Sequence, residues 1–291
     1  MHKIVLNTAL IVFMVASTAN AEHHLQNDHH NHSEYTEAMF MRHHGPTLSS
    51  AINNAAREAD RARDQYRHPA ETLAFFHVAP HMKIGEYSPG GGWYSRLLGL
   101  YLGEAGRLVG LFPNANLAAR EPQRQQAIRN AAGAFPTQLA RWTGLSANRF
   151  AGLTLDNVAE DEIGTFDRIL VIRALHGRIR DGIADSEIRA MRSLLKNGGM
   201  IGIVQHRAKA NAPFSYANGS RGYLREADVI AFMQVHGFTL VSSSEVNANT
   251  NDPANHARGV WEMPPVFSTN RRDLVGLGES DRMTLLFRKS D

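Results

Sequence analysis

With 291 residues, 43% of them hydrophobic, and a formal net charge of only +3, the chain can bury a substantial core and lacks the charge of a dedicated nucleic-acid surface. The absence of cysteine excludes disulfides, thiolate metal sites and catalytic thiols.

Lys3, the apolar run Ile4 to Ala16 and the triplet Ala19-Asn20-Ala21 predict a secretory signal peptide over residues 1–21, cut near Ala21. The run is short for a membrane span, so no stable membrane insertion is expected after cleavage. The expected address is periplasmic or secreted. Residues 22–46 carry His23, His24, His29, His30, His32, His43 and His44 among polar neighbours. A disordered tail is expected there, able to collect Zn, Cu or Ni ions but holding no fixed metal site. Residues 47–291 are expected to form a single domain.

Leu48 to Tyr66 reads as a helix, broken at Arg67-His68-Pro69, and Pro69 opens a second helix, Ala70 to Phe76. Strands are predicted at Met82–Ser88, Arg107–Phe112, Phe150–Leu155, Phe166–Ile172, Met200–Gln205, Phe238–Val246 and Arg282–Arg288. Helices are predicted at Trp93–Leu102, Ala115–Ala131, Phe135–Trp142, Ile183–Leu195 and Leu224–His236. Strands that alternate with helices predict an α/β fold, a mostly parallel sheet with helices on both faces. No helix separates the last two strands. A long loop, 247–281, joins them and reads as a lid over the site or as an arm in a homodimer.

Met82 to Tyr94 is the most informative stretch. A short strand carries Glu86 near its end, then Ser88 and Pro89, then Gly90, Gly91 and Gly92 lead into a helix. Such a turn leaves backbone N–H groups and bare backbone open to a ligand. The segment resembles the first motif of the class I S-adenosylmethionine (SAM)-dependent methyltransferases, an acid followed by three alternating glycines. Glu86 matches the acid, Gly90 and Gly92 match two glycines, and Ser88 stands in place of the other. Leu195-Lys196-Asn197-Gly198-Gly199 resembles the turn before the fifth strand of that fold. Tyr66-Arg67-His68-Pro69 resembles an often exported branch of the superfamily. The resemblance implies a Rossmann-like sheet of seven strands with the last one antiparallel. It also implies a SAM site at Glu86, Ser88, Gly90, Gly92 and Asp156, where Asp156 binds the adenine amine.

Ligands of open α/β sheets bind beyond the carboxyl ends of the strands. His176, His206 and His68 are therefore candidate acid or base groups, with Tyr94 beside them and Arg173 holding a developing oxyanion. Arg67 and Arg207 suit an anionic substrate, Tyr223 a substrate oxygen, and Trp93 and Trp261 an aromatic ring. In the resemblance, the second strand ends in an acid for the ribose, but here it ends Leu111-Phe112-Pro113. An exported protein also meets little SAM. These two points predict an exported enzyme with no cofactor, running acid/base chemistry of lyase or isomerase type on a small aromatic or anionic substrate. The alternatives are a SAM-dependent methyltransferase and a periplasmic small-molecule or metal-binding protein.

Overall fold

The computed structural model describes residues 37–119 and 121–290. The predicted signal peptide, its cleavage site and the His-rich segment through residue 36 lie outside them.

The first helix, α1, spans residues 37–52 and so begins inside the segment expected to be a tail. Phe40, Met41, Leu48 and Ala51 recur at helical spacing and pack on the core, which is reason enough for residues 37–46 to be ordered. The helix predicted over Leu48–Tyr66 is broken after residue 52. Asn54 Oδ1 accepts a 2.9 Å hydrogen bond from the Ala56 amide and starts a 3-10 segment, Ala55–Arg63. α2 (Asp64–Arg67) follows, then His68 at φ 42° and α3 (Pro69–Phe75).

The strands are β1 (Lys83–Tyr87), β2 (Arg107–Phe112), β3 (Phe150–Thr154), β4 (Phe166–Ile172), β5 (Leu195–His206), β6 (Phe238–Ser244) and β7 (Arg282–Lys289). They form one sheet in the order β3-β2-β1-β4-β5-β7-β6, with β7 antiparallel to both neighbours. β5 starts earlier than predicted. Leu195 pairs with Phe166 before the register shifts to Met200 opposite Arg168, so the Asn197-Gly198-Gly199 turn is an irregularity within the strand.

The remaining helices are α4 (Trp93–Tyr101), α5 (Ala115–Ala118), α6 (Pro122–Thr143), α7 (Leu175–Arg180), α8 (Ala184–Leu194), α9 (Phe214–Ala217) and α10 (Glu226–Val235). The helix predicted over Ala115–Ala131 is split: its start is α5, and its remainder joins the predicted Phe135–Trp142 in α6, despite Pro136 inside it. Pro136 has no N–H for the Ala132 carbonyl. That carbonyl lies against Gly152 of β3, at a spot where any Cβ would sit 2.1 Å away.

Alternation along the strands splits the core in two. Ile169, Val171, Ile201, Ile203, Leu285 and Phe287 face α8 and α10. Ile84, Leu108, Leu170, Val204 and Leu286 face α1, α3, α4 and α6. Two layers of helix on a sheet whose strand order reverses between β1 and β4 leave a crevice at the carboxyl ends of those parallel strands.

Candidate active site

A cavity of about 560 Å³ occupies that crevice. The ends of β1, β4 and β5 form its floor. The 3-10 segment, α2 and α4 wall one side, and the 247–281 loop closes another through Val260, Trp261, Pro264, Pro265, Val266, Glu279 and Ser280. The loop thus packs over the site. Asp252 anchors it from a fully buried position, accepting hydrogen bonds from Tyr223 Oη (2.9 Å), the Ala254 amide (2.8 Å) and the Asp281 amide (2.9 Å).

Two strand ends facing the cavity are conformationally unusual. Ser88 and Arg173 have φ of 52° and 56°, a region that non-glycine residues seldom adopt and that clusters at functional sites. Both are held by the neighbouring strand: the Ser88 amide donates to the Leu111 carbonyl at 2.8 Å, and the Arg173 amide donates to the Val204 carbonyl at 2.6 Å.

His176 and His206 meet edge to face, 5.6 Å between ring centroids, and Trp261 lies 6.0 Å from His176. Gln205 fixes His176. Its amide nitrogen donates to the Gly222 carbonyl at 2.8 Å, so its Oε1 is left to face His176 Nδ1 at 3.3 Å. Nδ1 therefore carries the proton and Nε2 keeps its lone pair. Burial, with the nearby guanidiniums of Arg180, Arg178 and Arg173, pushes His176 down to about 4. His206 is pushed well below its ordinary value by burial, then by His176 and Arg173, and its Nδ1 lies 2.6 Å from Ser280 Oγ. Both imidazoles are neutral at neutral pH, the state a general base needs.

Arginines crowd the opposite wall. Glu279, 4% exposed, accepts from Arg63 Nε at 2.6 Å and from Arg282 Nη1 at 3.2 Å. Arg67 and Arg173 reach the same carboxylate only at 3.6 and 3.9 Å. Four guanidiniums share one carboxylate. Burial first, then their mutual repulsion, lowers Arg67 to about 10 and Arg173 to about 9, both still cationic at neutral pH. Tyr94 is buried in this cluster, and burial raises its phenol. Glu86 is 3% exposed, accepts 2.6 Å from Ser95 Oγ, and is pushed up to about 8 by burial.

Of the residues read from sequence, His176, His206, Arg173, Tyr94, Arg67, Trp93, Trp261, Glu86, Ser88 and Gly90 line the cavity. The others do not. Arg207 follows His206 and so projects from the other side of the strand, where it pairs with Asp281, Glu245 and Glu226. Tyr223 is fully buried and serves Asp252. His68 lines a separate cavity beside Tyr66 and Asn249. Trp93 borders the site, but its Nε1 donates to the Asp60 carbonyl, and the Arg57 and Arg67 guanidiniums lie 4.9 and 4.6 Å from its ring centroid. It positions Arg67 rather than offering a free face to substrate.

Gly92 and Asp156 stand apart from the cavity. Gly92 packs against Trp142. Asp156 is engaged by the Ala115 amide (3.1 Å), Asn116 Nδ2 (3.2 Å) and Arg129 Nη2 (3.1 Å). β2 ends at Phe112 and Pro113 follows it, so neither position carries a carboxylate, and the Asp156 carboxylate is engaged by its neighbours. Glu86, Ser88 and Gly90 alone keep the implied geometry.

Sequence reasoning missed Arg63, Arg96, Arg178, Arg180, Asp60, Glu279 and Ser280 as lining residues. Glu279 and Ser280 were findable: an antiparallel last strand begins where its parallel neighbours end, so the residues just before β7 belong to the site edge.

No family model and no curated protein matches the chain. The solved structures similar to it include the [4+2]-cyclase SpnF, with a TM-score of 0.50, 15% identity and coverage of 88% of this chain and 96% of that one. A SAM-dependent methyltransferase from Aquifex aeolicus gives 0.47 and 12% identity, covering 78% and 93%. The 1,6-didemethyltoxoflavin-N1-methyltransferase of Burkholderia thailandensis, solved with its substrate and S-adenosylhomocysteine, gives 0.43 and 14%, covering 90% of each chain. The fold is that of the class I methyltransferases.

Proposed function

We propose that the chain is an exported enzyme that carries out lyase-type acid/base chemistry on a small anionic substrate without SAM. The observation that carries this reading is His176: a neutral imidazole, its tautomer fixed by Gln205, facing a cavity whose other wall holds the guanidinium cluster. In the proposed step, His176 Nε2 takes a proton from the carbon next to a substrate carbonyl group. The electron pair moves onto the carbonyl oxygen, and Arg173 stabilises the oxyanion. Collapse of the oxyanion re-forms the carbonyl and breaks the bond from the adjacent carbon to a leaving group, which takes back the proton held on His176 Nε2. Trp261 flanks His176 and favours a planar or aromatic substrate.

A fold serves many reactions, as the similarity to a cyclase illustrates, so the assignment rests on the site. One observation favours the SAM-dependent reading instead, the presence of Glu86, Ser88 and Gly90 in the cavity wall. Calorimetric titration with SAM and S-adenosylhomocysteine separates the two. It is to be paired with NMR-detected deuterium uptake across a panel of small carboxylates and phosphonates. Deuterium uptake without SAM that is lost in His176→Ala supports the proposal. Turnover that strictly requires SAM overturns it. Cell fractionation tests the export, and a cytoplasmic protein would return weight to the methyltransferase reading.

A further inference from the structure

The arginine wall holds more donors than Glu279 can satisfy. Arg67 Nε, Arg67 Nη2, Arg173 Nε and Arg63 Nη2 are buried atoms that find no acceptor among the described residues. Arg67 is 1% exposed, yet its closest approach to Glu279, 3.6 Å, is beyond hydrogen-bond reach. Buried donors without acceptors are costly and rare, and here four of them come from three adjacent side chains lining one cavity. The charge is equally unbalanced. Arg63, Arg67, Arg173 and Arg282 face one carboxylate, so the cluster carries an excess of three positive charges. A carboxylate ligand would bring one negative charge and two oxygens. A phosphoryl group brings two charges and three terminal oxygens, and planar guanidinium forks match those oxygens well.

We propose that Arg63, Arg67 and Arg173, braced by Glu279 and Arg282, form a subsite for a dianionic phosphoryl or phosphonyl group in preference to a carboxylate. The proposal rests on the reading above that the cavity takes an anionic substrate, and it names the anion. Glu279 acts as a strut. It keeps the four cations together in the free protein and leaves three of them short of acceptors. Trp93 supports Arg67 from beneath, and the unusual backbone at Arg173 aims the third guanidinium.

The test is titration of the purified protein with inorganic phosphate, phenylphosphonate and benzoate, followed by calorimetry and by ³¹P line shape. Phenylphosphonate is expected to bind at least about tenfold tighter than benzoate, the value of one additional charge-assisted hydrogen bond. Arg173→Met and Arg67→Met should each weaken it by about tenfold or more. Should Arg67→Met fail to fold, Arg63→Met at the rim gives the same reading. Inorganic phosphate binding as tightly as phenylphosphonate points to a free-phosphate ligand; tighter phenylphosphonate points to an organic one. Both support the subsite. Benzoate binding as tightly as phenylphosphonate overturns it while leaving His176 as a base, and phosphonate binding unchanged in Arg173→Met overturns it as well. SAM-dependent turnover overturns the acid/base reading without touching the phosphonate result.

Discussion

Replacing Glu86 with glutamine converts a buried carboxyl into a measurable pH dependence. Glu86 is 3% exposed, and Ser95 Oγ donates to it at 2.6 Å. Burial raises its carboxyl to about 8 from 4.5; the Ser95 hydrogen bond and the Arg96 charge oppose the shift without cancelling it. The sign follows from linkage. In the unfolded chain the group ionises near its ordinary value, so between about pH 4.5 and 8 the folded state holds a proton that the unfolded state has lost. The stability from keeping this group neutral is complete at low pH. It falls by about 1.4 kcal/mol per unit through that window and levels off above it. The full swing is on the order of 4–5 kcal/mol, less whatever local water screens. Glutamine cannot ionise, and its amide oxygen still accepts from Ser95. Glu86→Gln is therefore expected to match the parent within about 1 kcal/mol at pH 5 and to exceed it by about 3–5 kcal/mol at pH 9. Urea midpoints of both proteins at intervals from pH 5 to 9 measure the difference, in which every other titrating group cancels. A difference that stays flat across that range refutes the reasoning.

Glu279→Gln should cost about 3–5 kcal/mol, because it strands four buried or half-buried guanidiniums, and added phosphate should restore part of the loss in a thermal melt. Burial works to raise the Glu279 carboxyl, but the surrounding arginines, Arg282 foremost, hold it below its ordinary value. Its contribution is accordingly present above about pH 4.5 and lost as pH falls through the folded value, which acid titration of parent against variant reads out. Tyr223→Phe removes the 2.9 Å donor to Asp252 and should cost about 1–3 kcal/mol, with faster hydrogen exchange at the Ala254 and Asp281 amides that share that carboxylate. Gly92→Ala places a Cβ 2.2 Å from the Trp142 ring at a φ of 76° and should cost at least about 2 kcal/mol, while Gly91→Ala, with nothing within 4 Å, should be near neutral in the same urea series.

The strand pattern was legible because each buried strand is a short apolar run between turn residues. All seven strands appear within a few residues of their expected ends, β5 excepted. The helical boundaries were less legible. Two helices were expected where α6 runs through Pro136: the hydrogen bond missing there falls on Ala132, whose carbonyl finds room at Gly152. The helix through residues 37–46 was hidden by its histidines, since composition outweighed the spacing of Phe40, Met41 and Leu48. At the site, His176, Arg173 and His206 were legible from their place after strands. Arg207 and Tyr223 were not separable from them without the alternation of side chains and the course of the loop. Glu279 lies 103 residues after His176 in sequence. Only the antiparallel docking of β7 brings them to one edge.

Strand order also bears on which ligand the crevice suits. The strand order reverses between β1 and β4, and the cavity is confined to the ends of β1, β4 and β5. A nucleoside would have to extend over β2 and β3. At β2 it meets Phe112 and Pro113 in place of a carboxylate, a loss of about 1.5–3 kcal/mol per charge-assisted hydrogen bond. At β3 it would have to draw Asp156 away from Ala115, Asn116 and Arg129; against its burial, hydrogen bonds from the Ala115 amide and Thr154 and the Arg129 charge hold that carboxyl below its ordinary value. Asn114 caps α5, and Asp156 ties the first residue of that helix to the end of β3 through the Ala115 amide, so redirecting it loosens that tie. Losing one ribose contact and one adenine contact of this kind amounts to about 3–6 kcal/mol, or two to four orders of magnitude in affinity. That is enough to move a micromolar cofactor site to millimolar. The guanidinium wall, by contrast, is already assembled: Arg63, Arg67 and Arg173 line the cavity, and an anion that enters relieves their mutual repulsion. These points support the proposed reading, a charged small molecule held at the centre of the sheet beside His176.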